Sequence, residues 1–91
     1  MAKVRKHVTI RGRVQGVWFR ASTQEAALSN RVYGWVKNTL YGDVEAVFEG
    51  EENDVVRVIK WCHQGPSLAN VIDMEVTDEK YSGEFSTFSI R

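Results

Sequence analysis

The chain has 91 residues, enough for one modest core and too few for a second, so 1–91 reads as a single domain. Its twelve Lys and Arg balance twelve Asp and Glu, which excludes the one-signed field that drives DNA or general RNA binding. The single cysteine, Cys62, excludes an intrachain disulfide and a Cys-pair metal site. No run approaches the roughly 20 apolar residues that span a bilayer. The opening Met1-Ala2-Lys3-Val4-Arg5-Lys6 lacks the apolar centre of a secretory signal. The expectation is a reduced, cytoplasmic protein with no membrane partner.

In chain order, residues 6–13 alternate as a strand, with Val8 and Ile10 on one side and His7, Thr9 and Arg11 on the other. A glycine-bearing loop follows. From Phe19 to about Asn30, the residues Phe19, Thr23, Ala26, Ala27 and Asn30 recur at helical spacing. Gly34 marks the exit from this segment. Trp35–Thr39 and Val44–Gly50 read as strands joined through the turn Tyr41-Gly42-Asp43, a β-hairpin. Glu51, Glu52, Asn53 and Asp54 suit a helix start, and Glu49 joins them as helix-start charge. Val55, Val58, Ile59 and Cys62 form that helix's apolar face, and Gly65-Pro66 stops it. Val71–Val76 alternates as a strand, Tyr81-Ser82-Gly83 turns, and Phe85–Arg91 reads as a last short strand. The order predicts an α+β, ferredoxin-like βαββαβ sandwich: an antiparallel sheet, two helices on one face, and a short extra C-terminal strand.

The segment Gly12-Arg13-Val14-Gln15-Gly16-Val17-Trp18-Phe19-Arg20 carries most of the chemical information. It joins a strand to a helix, and a helix start leaves backbone N–H groups without partners, at the positive end of the dipole. Such a terminus suits an anion, phosphate above all. Arg20 adds a planar, permanently charged fork that matches phosphate oxygens in pairs. An arginine at a helix start is electrostatically misplaced unless an anion is close by. The histidines His7 and His63 have no partner at metal-ligand spacing, so no metal site is expected.

At this point the chain resembles the acylphosphatase family along nearly its whole length. The resemblance rests on Gly12–Arg20 and on a second signature, Gly34-Trp35-Val36-Lys37-Asn38-Thr39-Leu40-Tyr41-Gly42-Asp43-Val44-Glu45. Weaker echoes are Trp61, Gly65-Pro66 and Phe88-Ser89-Ile90-Arg91, the Gly-Pro exit being closer to bacterial members. The resemblance implies hydrolysis of acyl phosphates to a carboxylate and inorganic phosphate, the latter both product and inhibitor, with no metal or organic cofactor. It implies Arg20 as the phosphate-binding arginine and Asn38 as the residue that orients the attacking water. It also implies Gln15, Gly16, Val17, Trp18 and Phe19 as the phosphate cradle. Trp18 departs from the pattern: the family often has a small residue or cysteine at that loop tip, and a large aromatic there bears on the acyl side of the substrate. A monomer suffices for such a site.

An RNA-binding module on the same βαββαβ plan is the competing reading, with Phe48 and Phe88 offered as stacking aromatics. The neutral charge and the missing aromatic-glycine pattern weigh against it. A regulatory relative of an enzyme is a third reading, countered by the presence of both Arg20 and Asn38.

Overall fold

The computed structural model describes residues 2–91. Its elements are β1 (Lys3–Arg13), α1 (Phe19–Ser29), β2 (Tyr33–Asn38), β3 (Val44–Glu51), α2 (Glu52–Gln64), β4 (Asn70–Glu79) and β5 (Phe88–Ile90). The strands form one sheet in the order β4-β1-β3-β2-β5. All neighbours are antiparallel except β2 and β5, which run parallel. This is the expected ferredoxin-like α+β sandwich.

Period-two alternation decides which face meets the helices. Val8 and Ile10 from β1, Val36 from β2, Ala46 and Phe48 from β3, and Phe88 from β5 are buried together. The helices meet them with Phe19 and Ala27 from α1 and Val55, Val58 and Cys62 from α2. Phe48 and Phe88 stack at 5.6 Å between ring centroids, inside this core. That corrects any reading of the two as a base-stacking platform: they lie under the helices and are closed to solvent. Each such ring contributes roughly 1.5–3 kcal/mol by leaving water. Burial also pushes the Cys62 thiol up to about 12, so it is an inert apolar filler.

The other face of the sheet stays partly open, with His7, Trp35, Lys37 and Arg11 half-buried there. The Arg91 guanidinium lies 4.9 Å and the Lys37 ammonium 5.6 Å from the Trp35 ring centre. His7 Nε2 meets Glu45 Oε2 at 2.6 Å, which makes it a paired sheet residue.

Three expectations need adjustment. β4 extends to Glu79, beyond Val76, because it pairs with β1 from Arg5 to Arg13. The final strand holds only Phe88–Ile90. Residues 80–87 are kept in place by side chains: the Arg5 guanidinium covers the Phe85 ring at 5.4 Å and bonds to Ser82 and Glu84. Glu49 is not helix-start charge. It sits on β3, 3% exposed, and accepts hydrogen bonds from Ser82 N at 2.9 Å and Ser82 Oγ at 3.0 Å, with Arg5 at 3.4 Å. Its register opposite Arg5 imposes this partnership.

Candidate active site

The end of β1 is shaped by a bulge: its pairing with β4 shifts register between Arg11 and Gly12. Gly12 has φ 130, and a Cβ there would sit 2.1 Å from the Asn70 carbonyl oxygen. Only glycine lets the backbone pass so close. The chain then turns through Val14–Trp18 into α1, with Gly16 at φ 74 in open space.

The start of α1 is left electrically incomplete. Its N-cap is Trp18, in the left-handed region (φ 66, ψ 21), with no side-chain cap and no acidic residue in the first turn. The start of α2 differs: Glu52 and Asp54 stand in its first turn and offset the dipole. A left-handed backbone costs an L-residue about 1–2 kcal/mol, so the fold tolerates strain at Trp18 where it also leaves amides without partners.

A cavity of about 390 Å³ opens at this helix start. Its polar lining is Arg20 and Asn38; its remaining walls are Gly16, Val14, Trp18, Phe19, Ala21 and Ile90. Arg20 is half-buried. Among the described residues it makes no ion pair and no side-chain hydrogen bond, whereas Arg5, Arg11 and Arg57 all do. Asn38 ends β2, and its carboxamide oxygen is shielded from solvent yet accepts no hydrogen bond. Leaving a buried acceptor unpaired costs about 1–3 kcal/mol, a cost expected where a ligand supplies the missing partner.

The residues singled out from sequence separate into two groups. Arg20, Asn38, Gly16, Trp18 and Phe19 share the cavity. Gln15 and Val17 do not line it. Val17 is buried in the core. The Gln15 amide donates to the carbonyl oxygens of Thr39 and Asp43, each at 2.9 Å. Two carbonyl acceptors at one amide leave only its NH₂ end facing them. The Gln15 side chain therefore ties the loop to the β2–β3 turn immediately after Asn38. Phe19 does double duty, since its ring also packs on Trp61 at 5.7 Å. Ile90 was not among the residues expected from sequence. The β2–β5 pairing brings it in, opposite Val36, and no local signal announces a parallel partner so far along the chain.

A free arginine, an unpaired carboxamide oxygen and an uncapped helix start thus border one cavity on a ferredoxin-like sandwich. The family model for acylphosphatase matches residues 6–90. An acylphosphatase of Syntrophus aciditrophicus is 54% identical over 86 residues, covering 94% of this chain and 90% of that protein. One from Pelotomaculum thermopropionicum is 46% identical over 90 residues, covering 99% and 98%. The solved acylphosphatase of Coxiella burnetii superposes with a TM-score of 0.93 at 36% identity, over 98% of this chain and 93% of that one. The chain belongs to the acylphosphatase family. Its reaction class is hydrolysis of the carboxyl–phosphate bond of small acyl phosphates.

Proposed function

We propose that Arg20 and the backbone amides from Gln15 to Phe19 hold the phosphoryl group, and that Asn38 orients the water that attacks it. The observation that carries this division of labour is the pairing, in one cavity, of a cation without an acid and an acceptor without a donor. The chemistry needs little else. The departing oxygen leaves as a carboxylate, so no strong acid is required. Charge in the loose transition state spreads over the equatorial oxygens, where fixed donors stabilise it. The Asn38 oxygen accepts one water hydrogen while its amide donates to a phosphate oxygen. A carboxamide is too weak a base to take the proton, which passes to a phosphoryl oxygen of the substrate. Water adds to phosphorus, the P–O bond to the acyl group breaks, and carboxylate and inorganic phosphate leave.

On this reading phosphate is both product and competitive inhibitor, the protein acts as a monomer in the cytoplasm, and neither nucleic acid nor membrane is a partner. Among the described residues no helix is long and apolar enough to cross a membrane. The test is turnover of benzoyl phosphate and acetyl phosphate without added metal and with a chelator present, together with inhibition by inorganic phosphate. Asn38→Ala lowers kcat by about 10²–10³-fold, the loss typical of one preorganised donor or acceptor, and weakens phosphate inhibition far less than Arg20→Ala does. If phosphate inhibition weakens as much in Asn38→Ala as in Arg20→Ala, the two roles are not divided as proposed.

A further inference from the structure

The Trp18 indole has no function in the fold. It is 77% exposed, caps nothing, and among the described residues joins no aromatic pair and makes no side-chain hydrogen bond. Its backbone is held at φ 66, which a glycine would adopt freely. A large apolar side chain at a strained, exposed position is an arrangement that stability alone does not produce. Trp18 nevertheless lines the cavity, together with Ile90, itself 42% exposed. Both border a space whose polar side chains are those of Arg20 and Asn38.

The cavity volume of about 390 Å³ lies in the range that whole small-molecule ligands fill, about 300–1,000 Å³, so it has room beyond a phosphoryl group. Apart from Arg20, the cavity lining holds no charged side chain to meet a charged acyl tail. On the other side of Asn38, Lys37 pairs with Glu45, and Arg11 with Asp73 and Glu75. A flat apolar tail does find a match, an indole face and an isoleucine edge.

Building on the assignment of the phosphoryl end to Arg20 and Asn38, we infer that Trp18 and Ile90 form the acyl-binding walls. Trp18 then sets a preference for acyl phosphates with a planar or bulky apolar acyl group over acetyl phosphate. Aromatic stacking supplies most of the discrimination, and Ile90 closes the opposite side.

The experiment compares kcat/KM for benzoyl phosphate and acetyl phosphate in the wild type, Trp18→Gly, Trp18→Phe and Ile90→Ala. Each ratio of benzoyl to acetyl turnover is divided by the wild-type ratio, which cancels the different intrinsic reactivities of the substrates. In Trp18→Gly the ratio falls about five- to tenfold, the scale of one aromatic contact. Trp18→Phe retains most of the preference, and Ile90→Ala loses about twofold to threefold. Thermal unfolding of Trp18→Gly gives a Tm no lower than wild type, because the backbone strain is relieved, so a changed ratio is not a folding defect. An unchanged ratio in Trp18→Gly, or a Trp18→Phe variant no better than glycine, overturns the inference while the hydrolytic reading stands. Failure of the wild type to turn over either substrate overturns the hydrolytic reading and takes the acyl preference with it.

Discussion

Two arginines toward opposite ends of β1 differ in partnership, and under the proposed function that difference separates a fold residue from a site residue. Arg5, near the start of β1, bonds to Glu79 at 2.8 Å and Glu84 at 2.6 Å and approaches Glu49 at 3.4 Å. Its hydrogen bonds to Glu79, then to Glu84, push its guanidinium still further from deprotonation. Through these contacts Arg5 fastens the irregular segment 80–87 to the sheet. Arg20, beyond the far end of β1, borders a cavity with no carboxylate in its lining. One cation is neutralised by its own chain. The other has no acidic partner among the described residues. A half-buried charge without an acid is costly by itself, so the contrast points to an anion as the missing partner, and the uncapped start of α1 points the same way.

The sharpest way to break this contrast is to remove each arginine in turn. Arg20→Ala lowers kcat/KM by about 10³-fold or more, by analogy with arginines that stabilise transferring phosphoryl groups. It also weakens phosphate inhibition and leaves the unfolding midpoint close to wild type. Arg5→Ala does the reverse. It leaves Glu49 buried with only Ser82 as partner, costs roughly 1–3 kcal/mol of stability, and keeps activity per folded molecule within about twofold, as expected for well-separated sites. Steady-state kinetics and urea unfolding on both variants check the pair. An Arg20 variant that unfolds early while turning over substrate normally would erase the distinction.

A smaller effect probes the link between the two halves of the site. Gln15→Glu keeps the shape of the side chain but replaces a double donor with a carboxylate facing two carbonyl oxygens. The turn after Asn38 loses its tie to the loop, and kcat falls about tenfold or more because the water is no longer held in line. Phosphate inhibition changes little, since the side chain does not line the cavity. Lowering the pH toward the carboxyl's own titration restores part of kcat, because a protonated Glu regains one donor. A loss in phosphate affinity equal to the loss in kcat would instead make the Gln15 side chain a direct ligand.

The smallest effect lies at the Arg5 end. The Arg5 hydrogen bond, helped by Ser82, holds the Glu84 carboxyl below the usual carboxylate range. The unfolded chain then takes up this proton at a higher pH than the folded one. The contribution to stability is therefore present above the ordinary value of about 4.3 and fades as pH falls through the depressed value. Urea midpoints of the wild type and Glu84→Gln should differ slightly at pH 6 and converge in acid; a gap that widens as pH falls would reverse the sign.

The local chemistry of this protein was legible in the chain itself. Val8 and Ile10 on β1, and Val55, Val58 and Cys62 on α2, declared their buried faces by spacing, because period two and period 3.6 are properties of the backbone. The signatures around Arg20 and Asn38 named the family for the same reason: a strand-to-helix turn with glycines and an arginine is a short-range arrangement. Other features depended on pairings between distant segments. Parallel alignment of β5 with β2 carries Ile90 to the cavity, and the register of β1 on β3 turns Glu49 from an apparent helix-start acid into a buried partner of Arg5. The Gln15 side chain spans to the turn beyond Asn38, a partnership that its place in the loop does not announce. Periodicity says which face a residue takes. Only the folded sheet decides which distant residue stands opposite, and so whether a charge is satisfied or left free to bind.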